Sequence, residues 1–190
     1  MKEYIGHHTC SMDNGYNYVL HNAPFISSWS NDEDIPKRPN PYLGTGYYFW
    51  EFDVQQAKKW GNARYKNGYY GVEAVIQTSD STFLDLVGDK QNMGHLLLLA
   101  TRLANAGLIN KDFKIGELLE YLKKADVVQP GIFPYKIIRA QDYRNINRSS
   151  KLYFRALEGF TYLNPVHIFC IIQPDDVILS NKRIIFQSLF

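Results

Sequence analysis

Four stretches of the chain set hydrogen-bonding side chains beside glycine or aromatic residues. They are Gly6-His7-His8-Thr9, Phe25-Ile26-Ser27-Ser28, Leu43-Gly44-Thr45-Gly46-Tyr47-Tyr48-Phe49 and Val166-His167-Ile168-Phe169. An imidazole titrates near neutral pH, a hydroxyl both donates and accepts, and a tyrosine ring adds a flat face for stacking. In a strand alternate side chains share a face. His7 and Thr9 are therefore expected to point together with His8 turned away, and Gly46 and Tyr48 to point together opposite Tyr47 and Phe49. A flat cleft lined by His7, Thr9 and Tyr48 would suit a planar, hydrogen-bonding ligand. The same residues also read as a satisfied core histidine and a core tyrosine.

Other chemistries find little support. His7 and His8 on one strand cannot both face one ion, and His21, His95 and His167 lie in unrelated contexts. With no HExxH, CxxC or paired-carboxylate motif, no metal site is expected. Gly44-Thr45-Gly46 is only the first half of a dinucleotide fingerprint, and Walker A and GxSxG sequences are absent. Cys10 and Cys170 are too few and too far apart for a zinc site, and they imply no oxidising compartment. The start of the chain lacks the apolar core of a signal peptide, and the apolar run from Leu96 to Ala100 is far short of a membrane span. A soluble, cytoplasmic protein is expected. Lys plus Arg exceed Asp plus Glu by 21 to 19, with no basic run longer than two, so no dedicated nucleic-acid footprint stands out. Arg139, Arg144, Arg148 and Arg155 form the best candidate contact for an acidic partner or nucleic acid.

The elements that must hold these residues can be read from pattern. The 190 residues, 45% apolar and 21% charged, suit one core. A first strand is expected over 2–10, a turn at Asp13-Asn14-Gly15 and a short helix over 16–22. Residues 30–41, with three prolines, read as an exposed loop, followed by a strand over 42–50. Asp53 has the place of a helix N-cap, and Val54, Ala57, Trp60 and Gly61 repeat at helical spacing, with an end near Asn67-Gly68. Strands follow at 69–77 and 82–86. The segment from about 91 to 128 is helical: Leu96, Leu99 and Leu103 stripe 94–106, while Ile115, Leu118, Leu119 and Leu122 stripe 112–124. Strand-like text returns at 135–139, 152–156, 166–172 and 184–186. The fold class is α+β, one domain over 1–190 with a mixed or antiparallel sheet.

Taken in order, the four stretches resemble the ADP-ribosyltransferase fold, in the branch of poly(ADP-ribose) polymerases and diphtheria toxin. That branch has a His-Gly-Ser/Thr first strand, then Gly-x-Gly-Ile-Tyr-Phe-Ala leading into a helix, then a glutamate opening a late strand. His7-His8-Thr9 matches the first element with His8 in place of glycine. Gly44-Thr45-Gly46-Tyr47-Tyr48-Phe49-Trp50 matches the second, and Ala57-Lys58-Lys59-Trp60 resembles the helix after it. The likeness spans residues 4–90, and 160–180 more loosely.

The resemblance implies a split mixed or antiparallel sheet with packed helices, and NAD as the molecule used. It implies that His7 holds the nicotinamide ribose, that backbone near His8 grips the carboxamide, and that Tyr48, with Tyr47 beside it, stacks the nicotinamide ring. Thr9, Gly46 and Ser28 would join the binding site. The family glutamate is missing: His167 stands nearest its place, with Glu158 and Glu73 as other carboxylates. His7, Tyr48 and His167 are thus the expected catalytic residues. Transfer of one ADP-ribose to a macromolecule is the expected activity, to a protein sooner than to nucleic acid. Such proteins in bacteria are often toxins or effectors, which points to an antitoxin or inhibitor partner. A non-catalytic NAD or ADP-ribose binding module, and an NAD glycohydrolase, are the alternatives. The tRNA 2'-phosphotransferases share the fold and use histidine and arginine pairs.

Overall fold

The computed structural model describes residues 1–30, 40–142, 151–154, 159–162 and 165–189. Residues 31–39, with Lys37 and Arg38, lie outside the described residues, as do Arg144, Arg148, Arg155 and Glu158.

Chain order begins with β1 (Lys2–Ser11), α1 (Tyr16–Asn22), β2 (Tyr47–Glu51), α2 (Val54–Arg64), β3 (Tyr69–Thr78) and β4 (Phe83–Asp85). Two helices follow, α3 (Lys90–Asn105) and α4 (Ile115–Val128). The remaining strands are β5 (Ile137–Gln141), β6 (Lys151–Phe154), β7 (Gly159–Tyr162), β8 (His167–Ile171) and β9 (Ile178–Ser188). Seven strands form one mixed sheet in the order β4-β5-β8-β2-β1-β3-β9, and β6 pairs with β7 separately. Only the β4–β5 pair is parallel among the seven. The coarse α+β expectation holds.

The helices start where polar side chains can take up orphan N–H groups. Asp53 Oδ1 accepts from Gln56 N at 2.9 Å, and Asp89 Oδ1 accepts from Gln91 N and Asn92 N. The Asp89 cap is why α3 begins at Lys90 rather than near Gly94. The second helix ends at Arg64, short of Asn67-Gly68, because Tyr65 is already extended. Residues 42–45 form a turn and Gly46 an isolated bridge to Ser27 rather than strand: Gly44 takes a left-handed φ of 80° there. The last strand is far longer than 184–186, and β7 carries no pattern that separates it from its surroundings.

Cross-strand partners share a face, so register sorts the side chains. Pairing of His7 with Trp50 and Glu73, and of Tyr48 with Cys170, puts these residues on one face with Thr9. This face is buried under α2, α3 and α4, where Trp50, Cys170, Ile138 and Ile168 pack against Leu96, Leu118, Leu119 and Leu122. The opposite face carries Phe49, Phe169, Ile171, Ile137 and Phe83 in a second cluster joined by Tyr4 and Tyr47. Toward the C-terminal end of β1, a third cluster tucks Cys10, Tyr70 and Val72 under Val19 of α1.

The two neighbours of β1 cover it unequally. β3 pairs with it from Lys2 to Ser11, whereas β2 pairs only with Gly6 and His7. The first residues of β1 therefore have no β2 neighbour, and an open groove lies beside them.

Candidate functional site

The helix-covered face holds His7, Thr9, Gly46 and Tyr48, half of the residues that sequence singled out, and the fold occupies them. His7 is 3% exposed, and its Nε2–H donates to Glu73 Oε2 at 3.2 Å. Its Nδ1 is the buried side-chain polar atom that finds no hydrogen-bond partner among the described residues. Arg183 on β9 donates to the other oxygen of Glu73. Burial would raise the Glu73 carboxyl, but Arg183 and His7 outweigh it and hold the group below the ordinary range. Thr9 Oγ1 donates to Ala57 O in α2 at 2.9 Å.

Tyr48 is equally committed. Its hydroxyl donates to Gly44 O at 2.6 Å and accepts from Leu43 N at 2.9 Å, which clamps the turn ahead of β2. Burial holds that phenol well above its ordinary range. The turn is also gripped by α4: Thr45 N donates to Glu120 Oε1 and Lys123 Nζ donates to Thr45 O. Gly46 bridges to Ser27, and a Cβ there would collide with Cys170 Sγ and sit 2.7 Å from Ile171 O. The Gly-x-Gly spacing thus has a packing cause.

His8 points to the other face, as its parity requires, and joins three segments. Phe25 N donates to Nε2 at 3.2 Å, so Nδ1 carries the proton and donates to Tyr48 O at 2.9 Å. Burial drives its pKa down to about 4, against the opposing pull of the Tyr48 carbonyl. Ser28 is exposed beside the Ser27 bridge, and Tyr47 packs in the second core cluster. Burial pushes Cys10 up to about 12 and Cys170 up to about 11, so neither is a thiolate nucleophile near neutral pH.

The expected cleft of His7, Thr9 and Tyr48 is corrected by this packing. The three do share a face, but the helices bury it, and apart from His7 Nδ1 their polar side-chain atoms are bonded to the frame or to Glu73. His167, the third expected catalytic residue, does not lie with His7 and Tyr48. One position beyond the Trp50–Ile168 pair, register sets His167 beside Glu51 on the opposite face.

There the groove brings together Glu3, Tyr4, Ile5, Glu51, Phe52, Val75, Arg139 and His167 around a volume of ≈ 600 Å³. His167 Nδ1 lies 2.9 Å from Glu51 Oε2, and Arg139 Nε donates to the same oxygen at 2.8 Å. A carboxylate only accepts, so Nδ1–H donates to it, and Nε2 has no hydrogen bond among the described residues. Arg139 Nη2, 3.3 Å from Nδ1, is then a close contact rather than a second hydrogen bond. Arg139 also pairs with Asp85, at 3.4 Å, and lies over the Tyr4 ring at 5.7 Å. Burial would raise the Glu51 carboxyl, but hydrogen bonds from His167 and Arg139 and the guanidinium charge hold it below the ordinary range. Its Oε1 has no hydrogen bond among the described residues.

The groove therefore presents an ionised carboxylate that orients an imidazole, with the side chain of His167 18% exposed. Such a pair can take a proton at Nε2 and place fixed negative charge beside a developing cation. Of its residues only His167 is marked as a site residue by the sequence motifs. Glu51 escapes them because it closes the Gly-x-Gly strand, where alternation alone gives no reason to look for His167. Among the described residues no group of three or more His, Cys, Asp or Glu could hold a metal ion, and no helix is long and apolar enough to cross a membrane.

Comparison of the chain with protein-family models, with curated proteins and with solved structures gives no match.

Proposed function

We propose that this chain is an NAD-dependent mono-ADP-ribosyltransferase that works in the groove, with Glu51 and His167 as its reacting groups. The observation that carries this is the Glu51–His167 pair, 2.9 Å apart at a groove wall, with no hydrogen bond to Nε2 among the described residues. The resemblance of residues 4–90 to the ADP-ribosyltransferase fold supports the choice of substrate. Glu51 takes the part for which the late strand offers only His167.

The chemistry follows from the charges. The C1'–N1 bond of the nicotinamide ribose breaks, and nicotinamide leaves with the bonding pair as a neutral molecule. Positive charge gathers on the ribose, where an ionised Glu51 stabilises it. An acceptor nucleophile bonds to C1', and its proton passes to His167 Nε2. Arg139 keeps Glu51 ionised and aimed. On this proposal His7, Thr9 and Tyr48 serve the frame, and the acceptor is a protein sooner than a nucleic acid. A toxin or effector role, with an antitoxin or inhibitor as partner, extends the proposal by resemblance.

The test is to incubate the pure protein with NAD and follow nicotinamide release, with and without cell lysate. Release that needs lysate, lost in Glu51→Gln, is the expected result. No release under either condition overturns the transferase and leaves a binding module; equal release without lysate makes the protein an NAD glycohydrolase.

A further inference from the structure

We infer that Phe52 is a platform on which the groove holds a flat, delocalised cation. Phe52 follows Glu51 directly and lines the groove. It is 75% exposed, which is unusual for a phenylalanine between a buried strand and a helix cap. Its backbone sits at φ 50°, a left-handed conformation that glycine adopts freely and an aromatic residue adopts at a cost. The backbone is pinned there by Phe52 N donating to Ile5 O at 2.9 Å. A turn from β2 to α2 needs no ring at this position, and among the described residues the ring has no aromatic partner. A strained, exposed aromatic residue beside an acid–base pair points to a ligand contact.

The charges around it select the ligand. Glu3 and Glu51 line the groove, and the guanidinium of Arg139 is already answered by Glu51 and Asp85. A cation is therefore favoured over an anion. One wall of the groove already shows the arrangement, with Arg139 over the Tyr4 ring. An aromatic face with nearby carboxylates binds flat cations by the same attraction. Two sources share that chemistry: the pyridinium of oxidised nicotinamide dinucleotide and the guanidinium of an acceptor arginine. The inference rests on the groove being the working site proposed above.

The full chain and its Phe52→Gly and Phe52→Trp variants would be titrated by NMR with N1-methylnicotinamide, agmatine and neutral nicotinamide. The expected result is that at least one cation binds, roughly fivefold more tightly than nicotinamide. Phe52→Gly should lose roughly that factor and Phe52→Trp should keep it. Because glycine suits φ 50°, Phe52→Gly should melt no lower than the unsubstituted protein. Preference for N1-methylnicotinamide assigns the platform to the dinucleotide, and preference for agmatine assigns it to the acceptor. Failure of both cations to bind overturns the inference, as does equal binding to Phe52→Gly or to neutral nicotinamide. Cation binding that depends on Phe52 without NAD cleavage would remove the transferase and leave the platform. NAD cleavage with binding indifferent to Phe52 would do the reverse.

Discussion

On the helix-covered face of β1 and β2, the polar atoms of Thr9 and Tyr48 end in the frame, in Ala57, Gly44 and Leu43, and His7 ends in Glu73. On the opposite face, at the end where β2 stops pairing with β1, Glu51 and His167 bond each other, and among the described residues one oxygen and one nitrogen of the pair have no further hydrogen bond. The residue types overlap: each face has a histidine against a glutamate. Access differs at the imidazole: the side chain of His7 is 4% exposed and that of His167 18%, while Glu73 and Glu51 are similarly exposed at 19% and 14%. A carboxylate–imidazole pair becomes chemistry only where a substrate can reach it. With its imidazole buried, the same pair ties strands together.

The sharpest way to break this contrast is to substitute each pair and compare turnover with stability. Glu51→Gln keeps an acceptor for Arg139 but loses the charge, and His167→Ala loses the proton acceptor. Each should lower nicotinamide release by about 10²- to 10⁴-fold at matched folded fraction, and Glu51→Gln should also lower the melting temperature, because Arg139 loses its ion pair. His7→Ala should lower stability and leave turnover of the folded fraction nearly unchanged. Turnover that falls more for His7→Ala than for Glu51→Gln, at matched folded fraction, would reverse the assignment.

A pH titration comes next in size. The pKa of His8 is about 4 when folded, against 6.5 as the ordinary value. As pH falls through that window the unfolded chain gains a proton that the folded chain refuses, so stability drops. The full loss is about 3 kcal/mol at pH 4. Urea unfolding at pH 7 and pH 4.5 would measure most of it, and His8→Gln should flatten the slope. Glu51 and Glu73, both held down in the fold, add their losses at lower pH, as each is protonated. A flat profile from pH 7 to 4.5 would mean that His8 is not the neutral staple between β1, β2 and Phe25.

Smaller effects test the frame. Tyr48→Phe removes one donor and one acceptor and strands Leu43 N, at a cost of about 2 kcal/mol. Thr9→Val loses one hydrogen bond to Ala57 O, about 1 kcal/mol. Both are read from denaturant midpoints, and both should leave cation binding in the groove intact. Loss of that binding in a folded Tyr48→Phe would return Tyr48 to the site.

Much of the fold is legible because local signals are strong. The span of α1, the Asp53 cap of α2, the leucine stripes of α3 and α4 and the alternation in β3 each name their element. Strand parity also places His7 with Thr9 and turns His8 away. Boundaries set by turns are harder. Nothing in Tyr42-Leu43-Gly44 announces that the Tyr48 hydroxyl folds back onto them, so pattern alone starts the strand at Tyr42 instead of Tyr47. The site is least legible. Glu51 and His167 are 116 positions apart, and their meeting depends on β8 pairing with β2 at one register.

By itself the sequence determined an α+β chain, where most of its helices and strands fall, and which side chains alternate on each strand. These follow from periodicity and capping, which act over a few residues. Only the tertiary structure decided which face the helices cover, that β2 stops short along β1, and that Glu51 rather than His7 stands beside an accessible imidazole. Those outcomes depend on strand order and on hydrogen bonds between residues far apart in the chain. A shift of one residue in register would carry His167 to the buried face.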